Sequence, residues 1–271
     1  MKRIVFLSGG IGSWAAGMRV MQKYGSEDII NLFTDTKKKN DGHPHRGEDQ
    51  DLYRFLNESW GYIGGALEWI SVGKHIWQVF EEVRYMGNTR NDPCSRILKR
   101  EAARNWIEKR FSPDEVTLYL GIDWTEEHRA KKCRDYWKPY HVEFPLINEP
   151  YLSKEDMCIW VEKYGVNRPR LYNMGFSHNN CGGFCVKGGQ GHFYNLLKQM
   201  PERYAYHEAK QEELFLIIGK RVPFLRRTID KQINYLSLKE FREQIEKDEL
   251  NNKETSFDLM DIGGCGCFND I

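Results

Sequence analysis

Five short apolar runs punctuate the first 150 residues: RIVFL at 3–7, IINLFT at 29–34, LEWISV at 67–72, VTLYLGI at 116–122 and VEFPL at 142–146. Each has the length of a buried strand. Between them, apolar residues recur at helical spacing near 13–24, 48–60, 75–84, 96–110 and 125–137. Strand alternating with helix predicts an α/β fold, a parallel five-stranded sheet with helices on both faces. Ligands of such sheets sit beyond the carboxyl ends of the strands, where the strand order reverses.

The texture changes after about residue 150. LSKEDMCIWVEKYG, at 152–165, reads as a serine-capped helix stopped by Gly165. A glycine-rich loop with two cysteines follows at 166–192, then helices at roughly 190–218 and 237–249, a polar linker (DELNNKETS) and the tail FDLMDIGGCGCFNDI. The chain therefore divides into an α/β unit at 1–150 and a helical, cysteine-containing extension at 151–271, with no internal repeat.

Composition narrows the classes. With 40% hydrophobic and 29% charged residues the chain reads as globular, and no apolar run approaches the roughly 20 residues of a membrane span. The N-terminus lacks the apolar stretch of a secretory signal. A formal charge of +1 exerts no global pull on nucleic acid or membrane, so partners must be argued from sites. Seven unevenly grouped cysteines suit a reducing cytoplasm in which thiols serve a metal or chemistry.

The first run ends in Ser8-Gly9-Gly10-Ile11-Gly12-Ser13 and then turns helical. Free amides at a helix start converge on an anion, the helix dipole favours negative charge there, and glycines admit the ligand closely. A Walker loop is excluded because no lysine follows. The dinucleotide pattern G-x-G-x-x-A fits residues 10–15, with Asp35 placed as a ribose-binding acid, so a nicotinamide or flavin enzyme competes on these residues alone.

SGGIGS at 8–13 resembles the pyrophosphate loop, S-G-G-x-[DG]-S, of the ATP-pyrophosphatase superfamily, with Gly12 where Asp is commoner. LFTDT at 32–36, DPCSRILKRE at 92–101, LGIDWTEEHR at 120–129 and PRLYNMGFSHNNCGGFC at 169–185 continue the pattern in order. Together they are most similar to the phosphoadenosine phosphosulfate (PAPS) reductase branch, over about 190 residues. The resemblance implies a Rossmann-like (HUP-type) sheet, ATP with Mg2+, and contacts from Ser8, Gly9, Gly10, Gly12 and Ser13 to phosphate. It also places Asp35 and Thr36 by the adenosine, and gives Asp123 or Glu126 to magnesium; as bare residues these acids read equally as caps of the next turn or helix.

Arg96, Lys99 and Arg100 lie in the first two turns of a basic helix, within reach of phosphate or sulfate at a strand-end site. Cys94 stands beside them, as ligand or as nucleophile. Cys181 and Cys185, joined by Cys94 or by Cys265 and Cys267 of the tail, supply thiolates for Zn2+ or an iron–sulfur cluster. Adenylylsulfate reductases carry a cluster on a Cys-Cys pair and a later Cys-x-x-Cys; here the adjacent pair is missing and the second spacing is one residue wider. Cys133 and Cys158 fall on helical patterns and read as packing residues. The Glu-Cys-Gly-Leu-His ending of PAPS reductases has no counterpart in the tail. His43 and His45 read as a solvated loop, and Lys220, Arg221, Arg226 and Arg227 as a helix end or a basic patch for RNA or DNA.

Three functions compete: an ATP-cleaving enzyme that adenylylates an acceptor (tRNA or DNA among the candidates) for sulfur or nitrogen transfer, a thiol-dependent sulfonucleotide reductase, and a nucleotide-binding regulator without turnover. A homo-oligomer is compatible with each.

Overall fold

In the computed structural model the chain is described over residues 1–88, 91–229 and 232–264. Elements follow the predicted alternation: β1 (Lys2–Phe6), α1 (Ile11–Tyr24), β2 (Ile29–Asp35), α2 (Gln50–Ile63), β3 (Ala66–Ser71) and α3 (Ile76–Val83). A composite helix then starts as α4 (Pro93–Ser95), passes through a π-helical stretch (Arg96–Glu101) and continues as α5 (Ala102–Glu108). β4 (Val116–Tyr119), a 3-10 helix (Trp124–Arg129), α6 (Ala130–Trp137) and β5 (His141–Glu143) complete the sheet unit.

All five strands are parallel, in the order β3-β2-β1-β4-β5. Strand order reverses between β1 and β4, so the crevice above these two strands is the expected ligand position. The two-residue period of β1 serves two cores. Val5 joins α1 and α2 through Trp14, Met18, Phe55 and Leu56 on one face; Ile4 and Phe6 join α5 and α6 through Ile107 and Trp137 on the other.

The remaining helices are α7 (Lys154–Glu162), α8 (Arg170–Asn173), α9 (Gln190–Gln199), α10 (Pro201–Ile218) and α11 (Leu238–Leu250). The serine cap at 153 is a capping box with Asp156. The single helix expected at 190–218 is two, because Pro201 has no N–H to continue the ladder and instead opens α10. A hairpin, β6 (Leu225–Ile229) with β7 (Gln232–Leu236), replaces the helix end expected near Arg226 and Arg227. A third core gathers Trp77 and Phe80 of α3 with Phe184, Phe193, Tyr204 and Phe241. Among the described residues no helix is long and apolar enough to cross a membrane.

Candidate functional site

The crevice at the switch point is a cavity of about 450 Å³, walled by the loop after β1, the loop after β4 and the segment 177–180. Gly9 has φ +80, and a Cβ there would also strike Leu52 at 2.6 Å, so glycine is required twice over. Gly10, extended, is the N-cap of α1 and provides no side-chain cap, which leaves the helix start to main-chain amides. Ser8, Gly10, Ile11, Gly12 and Ser13 line the cavity. The Ser13 hydroxyl donates to Gly10 O at 2.7 Å, so it braces the loop instead of offering its proton to a ligand.

Opposite, the backbone of the β4 loop presses on this bend. A Cβ on Gly121 would lie 2.7 Å from Gly12 O, and one on Gly12 would lie 3.3 Å from Gly121 O. Asp123 caps the 3-10 helix, accepting from the Thr125 amide at 2.9 Å and its hydroxyl at 2.6 Å. Glu126 is ion-paired with Arg129. Both acids line the cavity.

Two residues within the segment 169–185, to which sequence reasoning assigned no role, fasten the extension to the glycine-rich loop after β1. Tyr172 accepts the Ile11 N–H on its hydroxyl at 3.2 Å, and buried Asn179 donates to Gly9 O at 2.9 Å. Their partners lie more than 160 residues away, so no local spacing could signal them.

The structure does not bring the other predicted residues to this cavity. Asp35 is buried on the far side of β2, accepting from Tyr53 Oη at 3.0 Å and Trp69 Nε1 at 3.2 Å. Burial, reinforced by the charge of Glu48, pushes its carboxyl up to about 6. Thr36 donates to Glu48 at 3.3 Å. Arg96 points to solvent and pairs with Glu101 at 2.8 Å. Lys99 and Arg100 do turn inward, but each meets a buried acid: Lys99 pairs with Glu48 at 3.1 Å and Arg100 with Asp92 at 3.0 Å.

Cys94, Cys181 and Cys185 instead line one small second cavity together with Thr36, Lys99 and Lys187. Cys181 holds a left-handed backbone (φ 53) and its N–H donates to Glu48. Arg203 of α10 fixes the loop by donating to Gly182 O at 2.9 Å and to Pro44 O at 2.8 Å. His192 closes the other side with Nε2 at 2.8 Å from Gly183 O. Burial drives this imidazole down to about 4, so it is neutral, and with a carbonyl as partner Nε2 carries the proton.

Among the described residues no three of His, Cys, Asp or Glu stand together as a metal-ligand set. Cys265 and Cys267 lie outside the described residues; the described chain ends at Gly264, whose N–H donates to Lys187 O at 3.2 Å. Cys133 and Cys158 are buried packing residues, as expected, with burial pushing the Cys133 thiol up to about 12. His43 and His45 pack on Tyr206 of α10, so their loop is anchored by ring contacts. Arg221 pairs with Glu240, and Arg227 lies over Phe257, which leaves neither to a free basic patch.

No family model matches the chain, and no curated protein matches it at a significant level.

Proposed function

We propose that the chain binds ATP with its phosphates at the N-terminus of α1 and cleaves it to AMP and pyrophosphate while adenylylating an acceptor. What carries this reading is the start of α1, built on glycines with no side-chain cap from Gly10, facing acids across a cavity at the switch point. The bend at Ser8–Ser13 would hold the β- and γ-phosphates through main-chain amides and the Ser8 hydroxyl. Asp123, with Glu126, would hold the magnesium that arrives with the nucleotide. An acceptor oxygen attacks the α-phosphorus, the bond to the β-phosphate breaks, and pyrophosphate leaves with that electron pair. A sulfur or nitrogen nucleophile then displaces AMP. Catalysis here is positioning and charge neutralisation, since no protein group bonds covalently to phosphorus.

Lys99, Arg96 and Cys94 stay outside the contact set. The reading also gives the thiols of the second cavity, with Cys265 and Cys267, to Zn2+ or an iron–sulfur cluster, in a cytoplasmic setting. Elemental analysis and a visible spectrum of the purified chain test that part: zinc or iron near one site per chain supports it, and neither overturns it.

Incubation with ATP labelled in the γ-phosphate, with and without bulk tRNA or DNA, tests the activity. Release of labelled pyrophosphate is the expected result. Sulfite release from PAPS would assign a sulfonucleotide reductase, and nucleotide binding without turnover a regulator; either overturns the proposal.

A further inference from the structure

The start of α1 has few amides left to give a ligand. Of its first three residues, Ser13 donates its N–H to Gly10 O at 3.1 Å and Ile11 donates its N–H to the Tyr172 hydroxyl at 3.2 Å. A Cβ built on Gly10 would lie 3.6 Å from the same Tyr172 Oη, so the phenol stands directly over the bend. Positive charge does not make up the difference. Among the described residues that line the cavity the only lysine or arginine is Lys154, whose ammonium donates to Ser177 O, while Asp123 and Glu126 are acids. Apart from a cation that travels with it, an oxyanion placed here must rely on neutral donors.

Tyr172 is held where it stands. Its short helix α8 is pinned by Arg170, whose guanidinium makes two bonds of 2.7 Å to buried Asp49 and whose N–H donates to Asp51 at 2.7 Å. Leu171, next in the chain, is fully buried in the third core, and the Tyr172 ring packs against the core that α1 shares with α2. Moving the phenol aside would break these contacts. A phenol oxygen that accepts one hydrogen bond keeps its own proton to give, and an anion beside that oxygen is favourable only with the proton between them.

We propose that Tyr172 is a ligand-contacting residue of the site: its hydroxyl accepts from the Ile11 N–H on one side and donates to a non-bridging phosphate oxygen on the other. The bond from the amide polarises the hydroxyl and strengthens its donation, and a hydrogen bond to a charged acceptor is stronger than one between neutral groups. The inference rests on the reading that phosphates sit at the N-terminus of α1. It makes the site incomplete without the extension, since one of its donors comes from α8.

Calorimetric titration of the full chain with inorganic tripolyphosphate and with ATP, each with Mg2+ and without an acceptor, tests it. Tyr172→Phe should weaken binding of both by about tenfold or more. Replacement of Tyr172 by 3-fluorotyrosine keeps the oxygen and makes the phenol a stronger donor and a poorer acceptor, so binding of both should tighten. A hydroxyl that only braces Ile11 would instead bring no gain, and that result would overturn the proposal. So would equal or tighter binding by Tyr172→Phe, which would show that the hydroxyl merely blocks the Ile11 amide. Failure of the wild-type chain to bind either compound would overturn the proposal together with the reading it rests on. Tight binding that depends on Tyr172, without release of pyrophosphate from ATP, would support the proposal and sink only the cleavage.

Discussion

Gly121 is the residue on which the proposed phosphate site most narrowly depends. Its α-carbon faces the backbone of Gly12, and the atoms a methyl group would meet are main-chain O, C and N, at 2.7, 2.8 and 3.0 Å. Main chain cannot rotate away as a side chain does, so Gly121→Ala must push the bend at Ser8–Ser13 out of place, at a cost of about 1–3 kcal/mol. We expect at least a tenfold loss of ATP affinity by calorimetry. Gly25→Ala serves as the control: it has φ +75 but open space, so it should lose about 1 kcal/mol of stability and bind ATP normally. The glycines were legible in the sequence as a bend; the pairing of Gly12 with Gly121 was not, because it is made by two loops more than 100 residues apart. Asp35 illustrates the opposite error. Its place at the end of β2 was plain, but Tyr53 and Trp69, which decide its role, come from other elements. Its folded pKa of about 6 lies above the ordinary 3.8. The native state thus holds the proton more tightly, and the stability linked to Asp35 is present below pH 4 and lost as pH rises through 6. Asp35→Asn removes that loss, by about 3 kcal/mol at most. Relative to wild type, its melting temperature should be several degrees higher at pH 7.5, with the advantage gone at pH 4; a gain equal at both pH values would refute the argument.

At the scale of elements, periodicity located every helix of the sheet unit, but it could not rank inward against outward positions in the helix after Pro93. The π-helical stretch places Lys99 and Arg100 inward and Arg96 outward, and buried Glu48 and Asp92 then neutralise the two that turn in. A basic motif in sequence became two internal ion pairs in the fold. The hairpin at β6 and β7 was missed for a related reason: most of its residues are exposed, so no apolar alternation marks it. The cysteine loop shows how one element can hold another. Arg203 reaches from α10 to the carbonyls of Gly182 and Pro44 while itself almost wholly buried. Arg203→Ala would leave both acceptors without that donor, at about 1–3 kcal/mol each, and would free the loop carrying Cys181 and Cys185. We expect faster modification of these thiols by a maleimide, mapped by mass spectrometry, with Cys133 and Cys158 still protected. Arg203→Lys should not restore protection, because a single ammonium cannot span the two carbonyls that the guanidinium fork reaches.

Over the whole molecule, order along the chain and order in packing part company. Reading the texture of the sequence divides the chain near residue 150, yet α7 and the turn after it, beyond that point, complete the core of the sheet: Met157, Cys158 and Val161 of α7 and Val166 after it are buried with Trp14, and Trp160 meets Trp14 ring to ring at 4.8 Å. Conversely α3, from the first half, lies in the core of the extension beside Phe184 and Tyr204. Each half therefore lends the other a helix, and the glycine-rich loop after β1 sits where they interlock, tied by Tyr172 and Asn179. The energetics can be tested by cutting. Removing everything after residue 150 exposes α1, and losing the burial of Met157, Val161 and Val166 at about 1.5–3 kcal/mol each is comparable to the roughly 5–15 kcal/mol that typically separates a folded domain from its unfolded state. A fragment of residues 1–150 should lack near-ultraviolet circular dichroism and show no cooperative urea transition. A fragment of residues 1–168 regains α7, and with it the ion pairs of Arg168 with Glu155 and Glu162. It should recover a cooperative transition of lower midpoint than the full chain, since α3 still lacks its partners. A cooperative transition in the shorter fragment would show that the sheet stands without α7, and that the interlocking inferred from the buried contacts contributes little to stability.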